Sequence, residues 1–239
     1  MTRMPTTAMV LAAGLGTRMK PLTDKTPKPL IPVAGKPLID YALDRFADAG
    51  VARAIVNVHY LADQVERHVA ARCAPEIVLS DERDLLLETG GGLKKARAAL
   101  GREPVFCTNT DAILIDHGEE ACATLARAWN GAAMDAMLLL VPIARTMGYD
   151  GKGDFDQLED GRIALRSGAT APLVFTGLQI ISTALVDEGP DGPFSTRLLW
   201  DKAAERGRLF GAVYDGDWLH VGDPESLKEA EARLKARAR

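Results

Sequence analysis

Short apolar runs alternate along the chain with segments in which apolar residues recur at the helical period. The run AMVLA at residues 8–12 predicts a buried strand, and the next periodic segment predicts one face of a helix formed by Ile39, Ala42, Leu43 and Phe46. The same alternation predicts strands at 54–58, 76–79, 105–107 and 137–141, and helices at 61–69, 91–100 and 121–129. Strands separated by helices favour an α/β fold with parallel strands.

The pattern changes in the second half of the chain. Residues 155–158 and 162–165 predict a hairpin, because the dipeptide Asp160-Gly161 between them is typical of a tight turn. Further strands are predicted at 174–181 and 209–214, and helices at 194–205 and 224–237. No linker or internal repeat interrupts this order, so we expect a single domain over residues 1–239 with a mixed, mostly parallel sheet.

Composition and charge exclude several classes of protein. The 239 residues carry 29 Lys+Arg and 33 Asp+Glu, a net charge of −4, which disfavours a non-specific binder of nucleic acid or of a membrane surface. No apolar stretch approaches the roughly 18 residues of a membrane span, and no signal peptide is expected. The three cysteines lack metal-ligand spacing and indicate buried free thiols in a reducing compartment, so we expect a cytoplasmic protein.

The segment 11–37, LAAGLGTRMKPLTDKTPKPLIPVAGKP, is the strongest functional signal in the sequence. Its glycines Gly14 and Gly16 permit backbone N–H groups to surround an anion, while Arg18 and Lys28 add positive charge. Proline on both sides of Lys28 restricts the backbone there. The segment matches neither the Walker A pattern nor the GxGxxG dinucleotide pattern, so it predicts a different kind of phosphate-binding loop.

Segment 11–37 resembles the signature of the sugar-1-phosphate nucleotidyltransferases, roughly LAAGxGTRxxPLTxxxPKPLxPVxGKP. The resemblance continues along the chain in NTD at 109–111, TGG at 89–91, FTGLQII at 175–181 and WLHVGDPE at 218–225. Within this family, the sequence most resembles the N-acetylmuramate-1-phosphate uridylyltransferases of cell-wall recycling. The features that carry this resemblance are the motif LETGGG at 87–92, the short chain and the expected lack of a C-terminal β-helix. Short guanylyltransferases for mannose 1-phosphate or heptose 1-phosphate are similar as well.

The resemblance implies a Rossmann-like, three-layer nucleotidyltransferase fold and transfer of a nucleotide to a sugar 1-phosphate with release of pyrophosphate. The attacking phosphate is already ionised at neutral pH, so positioning and charge neutralisation would carry the catalysis. Arg18 and Lys28 are the implied catalytic residues, holding the triphosphate and the α-phosphate. The full set of implied nucleotide-binding residues is Ala12, Ala13, Gly14, Leu15, Gly16, Thr17, Arg18, Lys28, Gly90, Gly91 and Asn109. A Cβ at Gly90 or Gly91 is expected to keep the nucleotide out.

Asp111 is the implied ligand of a Mg²⁺ ion, at the end of a strand where α/β folds bind their ligands. The family has a second metal-binding aspartate in W-x-Asp-Val-Gly, and this chain has His220 there. Three explanations stay open: His220 contacts phosphate directly, it binds a softer ion such as Mn²⁺, or Asp223 or Asp217 supplies the carboxylate. Asp223 is also a good candidate for the N-cap of the last helix.

The implied sugar pocket comprises Asn109, Gly153, Asp154, Thr176 and Gly177. Arg166 and Arg197 are candidates for the sugar phosphate, although solvated arginines are common. We expect a Mg²⁺-dependent enzyme that joins UTP to N-acetylmuramic acid 1-phosphate. The alternatives are a guanylyltransferase for mannose 1-phosphate or heptose 1-phosphate, and a nucleotide-sugar binding module without turnover. The sequence leaves the oligomeric state open.

Overall fold

The computed structural model describes residues 4–237. Its strands are β1 Thr7–Leu11, β2 Pro32–Val33, β3 Lys36–Pro37, β4 Arg53–Val58, β5 Glu76–Asp81, β6 Val105–Asn109, β7 Ala112–Asp116, β8 Ala136–Pro142, β9 Thr146–Met147, β10 Phe155–Gln157, β11 Ile163–Leu165, β12 Leu173–Ile181, β13 Leu209–Val213 and β14 Gly216–His220. Its α-helices are α1 Leu38–Asp48, α2 Ala62–Val69, α3 Glu88–Leu100, α4 Ala121–Ala128, α5 Thr183–Asp187, α6 Arg197–Glu205 and α7 Pro224–Arg237. The strands and helices predicted above are all present, with ends that shift by up to about three residues.

A nine-stranded sheet runs in the order β11-β10-β12-β6-β1-β4-β5, and β8 and β13 extend it from β12. The central strands β6, β1, β4 and β5 are parallel. Strand β12 lies antiparallel between β6 and β8, and β11 is antiparallel to β10, so β11 and β12 alone run against the other strands of this sheet. The expected mostly parallel mixed sheet and its 155–165 hairpin are confirmed.

The sheet is buried on both faces because its central strands alternate apolar side chains between two cores. In β1, Ala8 and Val10 face the core formed with α1, α2 and α4, whereas Met9 faces the core formed with α3, α5 and α6. The fold therefore has three layers, helix–sheet–helix, as expected. No helix within residues 4–237 has the length and apolar character needed to span a membrane.

A second, small sheet was not predicted from the sequence. It has the order β7-β14-β9, and β14 pairs antiparallel with β7 so that His220 is opposite Ala112. Together with α7 it encloses a third apolar core that contains Ile113, Leu219 and Ala230. This sheet brings the end of β14 to the end of β6, where the amide of Val221 donates a 2.9 Å hydrogen bond to the Asp111 carbonyl.

The cysteines are free thiols, but the expectation that all three are buried was wrong for one of them. Cys107 and Cys122 are buried, whereas Cys73 is exposed. Cys73 follows α2 in the connection to β5 and does not lie on a sheet strand or on an inward helix face.

Candidate active site

A cavity of about 340 Å³ opens at the carboxyl ends of β1 and β6, where ligands of open α/β sheets bind. Its walls come from five parts of the chain: the loop after β1, one residue of β4, the start of α3, the segment after β6 and the residue Gly222 after β14. The lining residues are Leu11, Ala12, Ala13, Gly14, Gly16, Thr17, Arg18, Lys28, Pro29, Asn57, Leu86, Glu88, Thr89, Asn109, Thr110, Asp111 and Gly222.

The loop after β1 folds into short 3-10 turns, and these turns bring Lys28 back against Gly16. Gly16 has φ +62°, and a Cβ there would stand 2.9 Å from the Cβ of Lys28. The Thr23 hydroxyl donates a 2.9 Å hydrogen bond to the Gly16 carbonyl and fixes the same contact. Glycine is therefore required at position 16 because the chain returns so closely against it.

The backbone amides of residues 14–18 point to an anion site. Among the described residues, these five consecutive N–H groups have no hydrogen-bond partner, whereas the next amide, that of Met19, donates to the Gly16 carbonyl. Consecutive free amides in a turn form a concave nest that favours negative charge. The Arg18 guanidinium follows directly and pairs with no carboxylate of the described chain. Leu15 itself is exposed and does not line the cavity.

Lys28 and Asp111 meet at the base of the cavity. The Lys28 ammonium lies 2.8 Å from Asp111 Oδ2, and the two side chains are 12% and 25% exposed. Burial by itself raises the pKa of Asp111, but the neighbouring His220 and the charge of Lys28 outweigh it, so the pKa lies well below the usual range. Asp111 is thus a carboxylate throughout the neutral range, beside a cation that can reach a bound phosphate.

His220 is the third group at this point. Its Nδ1 lies 3.1 Å from the Gly148 carbonyl, so Nδ1 carries a proton in this hydrogen bond, and Nε2 lies 3.6 Å from Asp111 Oδ2. The ring also stacks on Trp218, with centroids 5.4 Å apart. A Cβ at Gly222 would stand 2.9 Å from the His220 ring and 3.3 Å from the Arg18 guanidinium, so both side chains converge on this glycine.

The two aspartates near His220 in sequence have other partners. Asp223 Oδ1 accepts hydrogen bonds from the amides of Glu225 and Ser226, at 3.0 and 2.9 Å, and so caps α7. Asp217 points to the opposite side of β14 from His220, where it pairs with Arg233 at 2.6 Å. Among residues 4–237, no group of three or more His, Cys, Asp or Glu side chains is arranged to hold a metal ion.

Asn57 and Glu82 support the cavity, although no motif in the sequence marks them. Asn57 Oδ1 accepts a 2.7 Å hydrogen bond from the Ala12 amide, and its Nδ2 donates to Glu82 Oε1 at 2.8 Å. The other Glu82 oxygen accepts from the Leu87 amide at 3.3 Å. This fully buried chain of hydrogen bonds joins the loop after β1 to the start of α3, and the partners are too distant in sequence for a motif to show them.

The glycines of the 87–92 motif have different neighbours from those expected. The amides of Gly90 and Gly91 both donate to the Phe194 carbonyl, at 2.8 and 3.1 Å, and a Cβ on either would collide with the 192–194 segment. Neither residue lines the cavity, whereas Thr89 beside them does. Close packing of α3 on that segment therefore explains why these positions are glycine, and their contact with a nucleotide stays a prediction.

The residues expected around the sugar fall in two places. Gly153 and Asp154 line a second cavity of about 320 Å³, together with Phe155, Leu165, Arg166, Phe175, Arg197 and Trp200. Gly177, with φ +93°, lies against Asn109 of the first cavity. Thr176 is fully buried and its hydroxyl donates to the Leu139 carbonyl at 3.0 Å, so it holds β12 on β8.

The two cavities are neighbours. Thr89 lines the first, and its hydroxyl accepts a 2.9 Å hydrogen bond from the Thr196 amide, next to Arg197 of the second. On the sheet, β12 leaves its register with β8 between Phe175 and Gln179, and this irregularity brings Gly177 against the first cavity while Phe175 lines the second. Residues that line the two cavities are therefore in direct contact or adjacent along the chain.

The arrangement suits transfer of a phosphoryl group between two bound phosphate esters. Free amides and Arg18 can hold a polyphosphate, Lys28 can reach the reacting phosphorus, and Asp111 is a single hard oxygen ligand in the same place. One carboxylate together with phosphate oxygens is a common ligand set for Mg²⁺, so the residues present fit that ion.

The chain belongs to the nucleotidyl transferase family, whose model matches residues 7–163. It is a sugar-1-phosphate nucleotidyltransferase, since the family assignment and the curated relatives agree.

Among these relatives is the N-acetylmuramate alpha-1-phosphate uridylyltransferase of Caulobacter vibrioides, 49% identical over 98% of this chain and 99% of that protein. Mannose-1-phosphate guanyltransferase beta-B of Xenopus laevis is 29% identical over 92% of this chain and 62% of its own length. The solved structure of the inositol-1-phosphate CTP transferase from T. maritima superposes with a TM-score of 0.79 at 16% identity, covering 98% of both chains, which shows the same fold.

Proposed function

We propose that this protein joins UTP and N-acetylmuramic acid 1-phosphate to form UDP-N-acetylmuramic acid and pyrophosphate. The observation that carries the choice of substrates is the 49% identity, over essentially the whole of both chains, to a uridylyltransferase named for that sugar phosphate. The cavity is consistent with this choice, because it combines a phosphate-binding loop with a reactive lysine and a carboxylate.

The reaction needs no general base. An ionised oxygen of the sugar phosphate attacks the α-phosphorus of UTP, a new P–O bond forms, and the bond to the β-phosphate bridging oxygen breaks. The electron pair of that bond leaves on pyrophosphate. The amides of residues 14–18 and Arg18 hold the β- and γ-phosphates, and Lys28 neutralises the charge that develops at the α-phosphate.

Asp111 would hold the Mg²⁺ ion together with phosphate oxygens of the nucleotide. The ion would add charge neutralisation at the α-phosphate and orient its oxygens. Because Asp223 caps α7 and Asp217 pairs with Arg233, His220 either contacts phosphate or completes the site for a softer ion. The variant His220→Asp separates these roles: a lower Mg²⁺ requirement indicates a metal role, and loss of turnover at every metal concentration indicates a phosphate contact.

The reaction would take place in the cytoplasm, where UTP is available. The free cysteines are consistent with a reducing compartment. The partners we propose are therefore two small molecules, without nucleic acid or membrane.

The second candidate is a guanylyltransferase acting on mannose 1-phosphate or heptose 1-phosphate. It is supported by the mannose-1-phosphate guanyltransferase relatives. These are less identical to this chain than the uridylyltransferase is, and only part of their length aligns with it. A binding module without turnover is disfavoured, because Arg18, Lys28 and Asp111 all line one cavity.

The test is pyrophosphate release across a grid of substrates. UTP, GTP, dTTP and CTP would each be paired with the 1-phosphates of N-acetylmuramate, N-acetylglucosamine, glucose, mannose and heptose, with Mg²⁺ and then Mn²⁺. We expect the highest kcat/KM with UTP and the muramyl sugar. A maximum with GTP and mannose or heptose phosphate would show that the proposed substrates are wrong and that the reaction type is right. Retained UTP binding without pyrophosphate release from any pair would identify a binding module.

A further inference from the structure

The second cavity contains an arginine that is held in place but not neutralised. Arg166 follows β11, its amide donates to the Asp154 carbonyl at 2.8 Å, and its Nε donates to the Gly153 carbonyl at 2.9 Å. The first bond holds the backbone of the residue, and the second holds its side chain against the cavity wall. Gly153 is required for this turn, because it has φ +81° and a Cβ there would collide with the Ala171 carbonyl.

Arg166 differs from the other arginines of this region in its partners. Arg197, across the same cavity, pairs with Asp201 at 2.9 Å, and Arg162 on the hairpin pairs with Asp160 at 2.7 Å. Within the described part of the chain, the Arg166 guanidinium contacts only neutral carbonyls, and its two longer contacts, to Gly168 and Ala169, are 3.4 Å. Its terminal nitrogens are therefore available to an anion from outside.

The rest of the wall of the second cavity consists of aromatic rings and of an aspartate that already accepts hydrogen bonds. The rings of Phe175 and Trp200 lie 4.9 Å apart in an edge-to-face arrangement and give an apolar surface suited to a sugar face. The Asp154 carboxylate accepts hydrogen bonds from the Tyr149 hydroxyl at 3.1 Å and from the Phe175 amide at 3.0 Å. Asp154 thus shapes the cavity and forms no ion pair with Arg166.

We propose that Arg166 binds the carboxylate of the acceptor sugar and thereby selects a sugar phosphate that carries an acid group. The inference rests on the proposed function, since N-acetylmuramate differs from N-acetylglucosamine by a lactyl ether that ends in a carboxylate. A planar guanidinium can bind that group through two parallel hydrogen bonds, here from Nη2 and from Nη1, which would give up its two long carbonyl contacts. The nucleotide cavity next to it would hold the phosphate at the other end of the same sugar.

The test compares two acceptors that differ only in the lactyl group. Arg166→Gln and Arg166→Lys would be assayed with UTP and either N-acetylmuramate 1-phosphate or N-acetylglucosamine 1-phosphate. We expect kcat/KM for the muramyl sugar to fall about 10-fold to 100-fold in Arg166→Gln, mainly through KM, the usual effect of losing a hydrogen bond to a charged group. The value for the glucosamine sugar, or its inhibition constant, should change less than about threefold. Arg166→Lys keeps the positive charge but cannot form two parallel hydrogen bonds, so its kcat/KM for the muramyl sugar should lie between those of the wild type and Arg166→Gln.

Arg162→Gln is the matched control, because it removes a neighbouring arginine outside the cavity and should leave both acceptors unaffected. Equal losses with both acceptors would overturn the inference and assign Arg166 to the sugar phosphate or to the scaffold. Unchanged kinetics in Arg166→Gln would overturn it as well. Both of these results leave the proposed function intact if the wild-type enzyme turns over the muramyl sugar. Absence of that wild-type turnover would overturn the proposed function and this inference together.

Discussion

Lys28 brings its charge to the base of the cavity, where we propose that the reacting phosphate binds. Its ammonium is 12% exposed and is held by Asp111, so it approaches the cavity from a fixed direction. We expect Lys28→Ala to lower kcat by about 100-fold to 1000-fold, because a charge contact made in the transition state is lost. Steady-state kinetics at saturating substrates measure this. An effect confined to KM would show that Lys28 only binds substrate.

Asp111 has a second role in the same contact, since it neutralises Lys28 in the free enzyme. We expect Asp111→Asn to remove metal-dependent turnover while the protein stays folded, because the amide keeps the shape but not the charge that a hard cation needs. Pyrophosphate release over a Mg²⁺ titration, with a thermal unfolding curve as the control for folding, measures this. Activity near that of the wild type would refute the assignment of the metal ligand.

At the scale of elements, the loop after β1 and the helix α3 depend on each other through Asn57 and Glu82. Gly92 belongs to the same contact, because a Cβ there would stand 2.8 Å from Asn57 Nδ2 and 2.9 Å from Glu82 Oε1. The wall of the cavity is therefore positioned by buried hydrogen bonds, and Glu82 takes part in them without lining the cavity itself.

Replacement of Glu82 tests this dependence. In Glu82→Gln, one of the two acceptor positions becomes an amide donor that faces Asn57 Nδ2 or the Leu87 amide. We expect a loss of about 1–3 kcal/mol in the free energy of unfolding and a raised KM for UTP. Chemical denaturation and initial rates measure the two effects. Glu103→Gln, on an exposed residue outside the site, is the control, and a variant that loses stability without any change in KM would contradict the coupling.

Continuous apolar runs identified the strands of the large sheet, because a strand buried on both faces must be apolar throughout. Strand β14 carries Asp217 and His220 beside apolar residues, and only two residues separate β7 from β6, so neither β14 nor β7 formed a separate apolar run. The phosphate loop was recognisable as a contiguous motif. The Asn57–Glu82 network was not, because it joins residues 25 to 45 positions apart.

At the scale of the whole molecule, the reactivity of the thiols tests whether the helices cover the sheet as described, because Cys107 lies on β6 and Cys122 lies on α4. Burial raises the pKa of both Cys107 and Cys122 to about 12, whereas Cys73 is exposed. Because the thiolate is the reactive form, we expect iodoacetamide near pH 8 to add once to the native protein and three times to the unfolded protein. Intact mass measures this. Cys73→Ser should abolish the native adduct, and two or more native adducts would contradict the layer order.

The small sheet also determines when, during synthesis, the site can exist. Asp111 and His220 are separated by nearly half of the chain, and strands β7 and β14 must pair before they meet. A ribosome that has released only the first half has already made the phosphate loop and Asp111, yet Gly222, which lines the cavity, and His220, which approaches Asp111, are still missing. Long-range pairings of this kind close late in folding. The chain therefore completes its site only after β14 has emerged, so nascent chains that already contain the nucleotide-binding motif have no complete site.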